Sequence, residues 1–204
     1  NHPTHIPDRH LCPRRGRGGQ GVRLTRSSNP TRQDLEEHLA AIEGGSHAIA
    51  FSSGMASADS CMKLLSQGDH VVCCDDVYGG TARLFNNLMS NYGVEFTYVD
   101  SQDSSNVEEA IRPETKMVWI ETPTNPLQKV TDLEAVGKIA ERNGLIYVVD
   151  STFATPVFLR PLDYGADLVL HSTTKYLSGH NQIIGGVIVT NRTDLYDNLK
   201  YIQK

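Results

Sequence analysis

The spacing of apolar positions changes regularly along the chain from residue 29 onward. Short apolar runs alternate with stretches in which apolar residues recur at helical spacing. Strands are predicted at residues 47–51, 70–74, 94–99, 117–121, 145–150, 166–171 and 186–190. Helices are predicted at residues 30–43, 55–65, 81–91, 105–112 and 132–142. Strands separated by such helices favour right-handed crossovers, and therefore an α/β fold with a mostly parallel sheet and helices on both faces.

The first predicted helix has clear signals at both ends. Asn29 is a favourable N-cap and is followed by a proline, and a pair of glycines follows residue 43. Leu35, Leu39 and Ile42 recur at helical spacing. We therefore predict that these three residues form the buried face of the helix.

Composition indicates a globular protein with one large domain. The chain has 204 residues, of which 39% are hydrophobic and 21% are charged, and this length allows a substantial core. No apolar run approaches the roughly 18–20 residues of a membrane span, and the first residues lack the apolar stretch of a secretory signal. Cys73 and Cys74 are adjacent in one predicted strand. The sequence has no CxxC pair of the kind that indicates a zinc site. We predict reduced thiols, a cytoplasmic protein and no metal.

Charge is distributed unevenly along the chain. Residues 1–32 contain seven arginines and one acid, about +6, whereas the whole chain carries −5. A basic run is either a solvated tail or a surface for nucleic acid or membrane. This run lacks aromatic residues and is rich in glycine and proline, which favours the tail. We expect residues 1–28 to be a basic, flexible segment with no nucleic-acid or membrane partner, and residues 29–204 to form the folded domain.

Two predicted strands lead into side chains that suit one kind of cofactor. The strand at 145–150 ends in Asp150, and Lys175 follows the strand at 166–171 after three hydroxyl residues. Ligands of mostly parallel sheets bind at the carboxyl ends of the strands. A lysine can hold the aldehyde of pyridoxal 5′-phosphate (PLP) as a Schiff base, and an aspartate can pair with the pyridinium nitrogen. A lone lysine is more often merely solvated, but the aspartate at the same edge favours a PLP site.

A phosphate site is predicted near the same edge. Residues 53–55 (SGM) lie where a strand turns into a helix, so the backbone N–H groups of Gly54 and Met55 can bind an anion. A Ser-Gly turn is often only a helix cap. Ser172 and Thr174 flank the lysine at alternate positions and can add hydroxyl groups to the same phosphate. The glycine-rich fingerprints of dinucleotide and P-loop sites are absent.

Two other residues suit the cofactor ring. Tyr78 is followed by two glycines that let the backbone approach closely, so its ring can stack on the cofactor; core packing is the ordinary alternative. Asn125, in the run ETPTNP, can donate to the phenolic oxygen of the ring or can simply form an asparagine–proline turn. Glu121 also lies at a strand end, and the sequence assigns it no role.

The order of these motifs resembles the Cys/Met-metabolism (transsulfuration) family of PLP-dependent enzymes, the group of cystathionine γ-lyase, γ-synthase and β-lyase and of methionine γ-lyase. The resemblance runs from Leu24 to about the end of the chain, nearly nine-tenths of its length. It rests on RSSNPTR (26–32), SGM (53–55), DVYGGT (76–81), ETPTNP (121–126), DSTF (150–153) and HSTTKYLSGH (171–180). The last motif is close to the family signature.

The resemblance implies the large domain of an aspartate-aminotransferase-like (fold type I) PLP enzyme, in a homotetramer built from active dimers. It implies that cystathionine is cleaved to cysteine, 2-oxobutanoate and ammonia through an internal aldimine on Lys175, which also shuttles protons. Asp150 would face the ring nitrogen and Tyr78 would stack on the ring. The residues implied in cofactor binding are Gly54, Met55, Tyr78, Asn125, Asp150, Thr152, Ser172, Thr174, Lys175 and Arg26, the last reaching the phosphate of the neighbouring subunit.

The chain departs from the family pattern in two respects. Leu24 stands where family members carry a tyrosine that binds the neighbouring subunit's phosphate, and losing one hydrogen bond to a charged group costs roughly 1.5–3 kcal/mol. The chain also ends about thirty residues after Lys175, and we expect the C-terminal domain to be missing. Two hypotheses remain open: a fragment of an active carbon–sulfur lyase, and an impaired short form that binds PLP or joins full-length subunits. γ-Synthase and methionine γ-lyase activities remain alternatives to γ-lyase activity.

Overall fold

The computed structural model describes residues 29–204. The predictions for the basic segment 1–28, and for Arg26 and Leu24, lie outside the described residues. The strands are β1 His47–Phe51, β2 His70–Cys74, β3 Glu95–Val99, β4 Thr115–Glu121, β5 Ile146–Asp150, β6 Leu168–His171 and β7 Gly186–Thr190. The α-helices are α1 Pro30–Glu43, α2 Gly54–Met62, α3 Gly79–Arg83, α4 Ser104–Glu109, α5 Leu133–Asn143, α6 Thr155–Phe158 and α7 Thr193–Gln203. None of these helices has the combination of length and apolar character that crossing a membrane requires.

All seven strands join in one sheet in the order β1-β7-β6-β5-β4-β2-β3. The pairs from β3 across to β6 are parallel. Strand β7 runs antiparallel to both of its neighbours, β6 and β1. The predicted α/β fold with a mostly parallel sheet is therefore confirmed. The parallel pairing of β4, β5 and β6 brings the carboxyl ends of these three strands to the same edge.

The prediction of a single regular helix at residues 81–91 is wrong. The chain instead forms α3, a π-helical turn at Leu84–Leu88 and a 3₁₀ turn at Met89–Tyr92. Phe85, within the π-helical turn, is fully buried and packs edge-on against Trp119, with ring centroids 5.2 Å apart. A π turn shifts the faces of a helix relative to regular spacing, and here it accompanies the inward position of this aromatic ring.

Helix α7 lies outside the pattern-based prediction. Its buried residues are Leu195 and Leu199, four positions apart, and most of the rest of the helix is polar. Two buried positions give only a weak periodic signal. Tyr196 and Ile202 are partly buried and also pack against the core, and polar contacts form near the end of the helix.

The buried face of α1 differs from the predicted one. Leu39 is buried as predicted, but Leu35 and Ile42 are each 50% exposed, whereas Glu36 and Glu43 are buried. Burying a carboxyl group is tolerated when hydrogen-bond donors surround it. Polar partners from the sheet layer and α7, rather than apolar packing alone, therefore decide which side of this helix faces inward.

The Glu36 carboxyl group joins three elements. It accepts hydrogen bonds from the Ala50 N–H at 2.9 Å, from Lys200 Nζ at 3.0 Å and from Gln203 Nε2 at 3.0 Å. Gln203 also donates to the Ala50 carbonyl at 2.6 Å. Because β1 is an edge strand, these contacts cover backbone groups that would otherwise be unpaired.

Replacing Glu36 with alanine should lower the free energy of unfolding by about 3 kcal/mol, because it leaves a partly buried ammonium and a backbone N–H without their acceptor. Glu37 is exposed on the same helix, and Glu37→Ala is the matched control, with an expected change within about 0.5 kcal/mol. Urea denaturation of the two variants measures the difference. Equal effects would show that the buried cluster does not stabilise the fold.

Candidate active site

A cavity of about 350 Å³ lies at the edge where β4, β5 and β6 end. The first turn of α2 and the segment after β6 contribute to its walls. Nine of the ten residues predicted from the sequence line it: Gly54, Met55, Tyr78, Asn125, Asp150, Thr152, Ser172, Thr174 and Lys175. The tenth, Arg26, lies outside the described residues. Side chains predicted separately from distant parts of the chain therefore share one cavity.

Asp150 is the last residue of β5 and is 8% exposed. Its Oδ1 accepts hydrogen bonds from the Thr152 N–H at 3.0 Å and the Thr152 hydroxyl at 2.6 Å. The other carboxylate oxygen has no hydrogen-bond partner among the described residues. Burial raises the pKa of Asp150, while the Thr152 donors and the nearby His171 oppose that shift. A buried carboxylate with an unpaired oxygen suits a cationic N–H such as that of a pyridinium ring.

Lys175 lies just before the 3₁₀ turn Tyr176–Ser178. Its backbone N–H donates to the Ser172 carbonyl at 3.2 Å, and its exposed side chain lines the cavity. Within residues 29–204, no side-chain hydrogen bond or ion pair engages its amine. The backbone is thus anchored while the amine is available to an aldehyde, as covalent attachment of a cofactor requires.

His171 is the last residue of β6, directly before the segment that carries Lys175, and a residue of α1 holds it in place. His171 Nε2 lies 2.8 Å from Glu43 Oε2, and both side chains are 1% exposed. Thr152 adds a second tie, because its Oγ1 accepts the Ser172 N–H at 2.8 Å. The start of this segment is therefore held by contacts to both α1 and the end of β5.

The beginning of α2 forms a cradle for an anion. The Ser53 hydroxyl caps the helix by accepting the Ala56 N–H at 3.0 Å. The N–H groups of Gly54 and Met55 precede the first intrahelical bond and have no acceptor among the described residues. A Cβ added at Gly54 would lie 2.7 Å from the Ser172 Cβ, so only glycine lets the helix start approach this serine. The two N–H groups and the Ser172 hydroxyl are suitable donors for a phosphate.

Thr174 is less available than the sequence predicts. Its hydroxyl donates to the Gly185 carbonyl at 3.2 Å and accepts the Gly185 N–H at 3.1 Å. The side chain therefore ties the lysine segment to the loop before β7, and it still lines the cavity.

Tyr78 is held at the cavity by its backbone and its ring. Its N–H donates to Glu121 Oε2 at 2.8 Å. A Cβ at Gly80 would lie 2.3 Å from the Tyr78 ring and 2.9 Å from the Met55 sulfur. Glycine at position 80 thus leaves room for the ring, which is 46% exposed and available for stacking.

Asn125 reaches the cavity on a loop that Asp76 anchors. The buried Asp76 carboxylate accepts hydrogen bonds from the Thr124 hydroxyl and from the Leu127 N–H, the latter at 2.8 Å. These contacts lie on both sides of Asn125 and fix its place. The loop that carries Asn125 is therefore joined to the loop that carries Tyr78.

Glu121 is a site residue to which sequence reasoning assigned no role. It is the last residue of β4, it is 5% exposed, and it lines the cavity beside Asp150. Its position at the end of an apolar strand is the same signal that singled out Asp150. The sequence alone does not show that β4 and β5 are neighbours in the sheet.

The arrangement fits PLP at each part of the molecule. The cavity offers N–H donors for the phosphate, a carboxylate for the ring nitrogen, an aromatic ring for stacking and an unpaired amine for the aldehyde. The described residues contain no group of three or more His, Cys, Asp or Glu side chains placed to hold a metal ion. The N–H donors, the carboxylate, the aromatic ring and the amine together suit carbonyl chemistry at the Lys175 amine.

Comparison with known proteins gives the same result. The family model for Cys/Met metabolism PLP-dependent enzymes matches residues 10–204. The cystathionine γ-lyase of Bacillus subtilis is 49% identical over 183 residues, which cover 90% of this chain and 48% of the relative. A probable cystathionine γ-synthase of Herpetosiphon aurantiacus is 46% identical, with coverage of 90% and 57%. The chain spans about half the length of the curated relatives it matches.

A solved structure confirms the fold class. The crystal structure of cystathionine γ-lyase from Lactobacillus plantarum complexed with L-serine superposes with a TM-score of 0.86 at 45% identity, covering 87% of this chain and 47% of that one. The described sheet and helices are therefore those of the large domain of a PLP-dependent enzyme. With the family model matching nearly its whole length, the chain belongs to the Cys/Met-metabolism family of PLP-dependent enzymes.

Proposed function

We propose that this protein is a PLP-dependent carbon–sulfur lyase that converts cystathionine and water to cysteine, 2-oxobutanoate and ammonia. One observation carries the proposal. Lys175, whose amine has no partner among the described residues, and Asp150, whose buried carboxylate has an unpaired oxygen, line one cavity. Relatives named cystathionine γ-lyase support the choice of substrate.

The described residues would hold PLP from three sides. Gly54 and Met55 would bind the phosphate through their N–H groups, with the hydroxyl of Ser172 beside them. The ring of Tyr78 would lie against the cofactor, and Asn125 would donate to the phenolic oxygen. When bound, PLP supplies an aldehyde that joins amino groups and a ring that accepts the electron pair released at the substrate Cα.

Lys175 and Asp150 would divide the acid–base work. The Lys175 amine holds the cofactor aldehyde and, once a substrate amine has replaced it, removes the proton from the substrate Cα. That proton would pass to the cofactor carbon that carried the aldehyde, which would free the amine to remove a second proton, from Cβ, and to deliver it to the sulfur as the sulfur leaves from Cγ. Asp150 keeps a proton on the ring nitrogen, and its burial strengthens that electrostatic interaction.

Cystathionine γ-synthase activity is the second candidate. Its support is the probable γ-synthase that is 46% identical to this chain, close to the 49% of the γ-lyase. Methionine γ-lyase activity is a third possibility within the family. The remaining alternative, a PLP-binding or interacting subunit without turnover, predicts cofactor binding but no product.

We also propose a homotetramer built from dimers in which Arg26 reaches the phosphate of the neighbouring subunit, or a mixed assembly with longer subunits. Tyr176 and Ile184 support an apolar contact near the cavity, because they are 66% and 75% exposed. A cytoplasmic location is supported by the free cysteines of the described part, Cys61, Cys73 and Cys74, which are all buried.

Replacing Lys175 with alanine should abolish covalent attachment of the cofactor. Wild-type protein treated with PLP and then borohydride should carry the label on the peptide that contains residue 175, because reduction makes the bond to the amine permanent. Lys129→Ala is the control, since that ammonium already pairs with Asp75 at 2.8 Å, and its labelling should be unchanged. Label found on Lys63 or Lys129 of the wild-type chain would refute the assignment.

Gly80→Ala should weaken PLP binding, because the added methyl group displaces the Tyr78 ring. Loss of an aromatic stacking contact amounts to about 1 kcal/mol. Gly79→Ala is the matched control: a Cβ there meets only the end of Arg83 at 3.6 Å. Fluorescence titration with PLP should show a lower affinity for Gly80→Ala than for Gly79→Ala. Equal affinities would show that the Tyr78 ring does not contribute to cofactor binding.

Cystathionine, homocysteine and methionine should be tested separately with the PLP-loaded chain. Any turnover should give 2-oxobutanoate and cysteine from cystathionine in excess of keto acid from the other two, and no product with Lys175→Ala. Faster release from methionine would favour methionine γ-lyase activity. Bound PLP without any keto acid would favour the PLP-binding subunit instead.

A further inference from the structure

Two buried carboxyl groups are direct neighbours at the cavity. Glu121 ends β4 and Asp150 ends β5, and the two residues are register partners in the parallel pair. Register partners project from the same face of a sheet, and both of these side chains line the cavity. Like charges held side by side in a buried site disfavour full ionisation, so the pair holds a proton at neutral pH.

The surroundings of the two carboxyl groups assign that proton to Glu121. Asp150 Oδ1 accepts two hydrogen bonds from Thr152, and the nearby His171 also favours its ionised form. Glu121 accepts the N–H groups of Tyr78, at 2.8 Å, and of Asn125, but it lies near the charge of Asp76 as well as that of Asp150. Donors stabilise the ionised form of the group that accepts them. Burial, followed by the charge of Asp150, raises the pKa of Glu121 to about 8, and the N–H groups of Tyr78 and Asn125 only partly oppose the shift.

The other ionisable groups around Glu121 do not reverse this assignment. They are Cys73, Cys74, Asp75, Asp76 and Tyr78 from β2 and the following loop, Asp150 from β5, and Lys175, which lines the same cavity. Burial raises the pKa of Cys73, so this thiol stays neutral. The charge of Asp76 raises the pKa of Glu121 further, whereas Asp75 is paired with Lys129 at 2.8 Å.

We propose that Glu121 is a positioning residue that carries the proton of the carboxyl pair, leaves Asp150 as the anion beside the cofactor nitrogen, and fixes Tyr78 through its backbone N–H. The inference rests on the proposed function, because the roles of Asp150 and Tyr78 are those of a PLP site. At neutral pH the pair then carries one negative charge, which matches one protonated ring nitrogen.

The protonated state of Glu121 has a consequence for stability that does not require the cofactor. The pKa of Glu121 lies above its ordinary value of 4.5 in the folded chain, so the folded state binds more protons than the unfolded state between about pH 4.5 and pH 8. Stability therefore falls as the pH rises through that window. Glu121→Gln, which mimics the protonated carboxyl group, removes this contribution.

The first test is an NMR titration of the full chain labelled with ¹³C at the glutamate carboxyl carbons. One resonance should titrate near pH 8 in the wild-type protein and be missing in Glu121→Gln. Glu109→Gln, at an exposed position of α4, is the matched control and should retain that resonance. Titration of every glutamate below pH 6, or persistence of the high-pH resonance in Glu121→Gln, would overturn the inference.

The second test compares PLP affinity in two variants. Glu121→Gln keeps an acceptor for the Tyr78 N–H and should bind PLP within about three-fold of the wild type, whereas Glu121→Ala should bind about ten-fold more weakly. If PLP binds the wild type but both variants lose affinity equally, the inference about Glu121 fails alone. If the wild-type chain takes up no PLP at Lys175, the proposed function fails and this inference fails with it.

Discussion

The rest of the site depends on a buried carboxylate that lacks a partner for one oxygen. Asp150 lies at the end of β5, where Thr152 satisfies Oδ1 twice. Burial without a counter-ion is unfavourable for a charge, and a protonated ring nitrogen would supply that counter-ion. The same Thr152 hydroxyl receives the Ser172 N–H, so the group that satisfies the carboxylate also places the segment that leads to Lys175. Cofactor electrostatics and lysine position are therefore coupled through one threonine.

Much of this arrangement was predictable because strand ends are easy to find. Apolar runs ending in Asp150, or continuing into hydroxyl residues and Lys175, place these groups at the carboxyl edge of a parallel sheet. The turn at Gly54 was predictable as a helix start that binds anions. Chain order alone does not give strand order, and the pairing of Glu121 with Asp150 follows only from β4 lying beside β5.

The errors of prediction also have physical causes. Apolar spacing placed Leu35 and Ile42 inside, yet Glu36 and Glu43 lie inward. Donors in β1 and α7 satisfy Glu36, and Glu43 contacts His171. The spacing of apolar residues carries no information about polar partners that lie far away in the sequence. The contact of Glu43 with His171 shows that such polar partners matter for the site, because it fixes the end of β6, after which the chain leads to Lys175.

A crystal structure of the chain with PLP tests the central claim most directly. The account predicts continuous electron density from Lys175 Nζ to the cofactor, with the phosphate at the start of α2. It also predicts the ring nitrogen within about 3 Å of an Asp150 carboxylate oxygen. Cofactor density elsewhere in the protein, or a ring nitrogen turned away from Asp150, would contradict it.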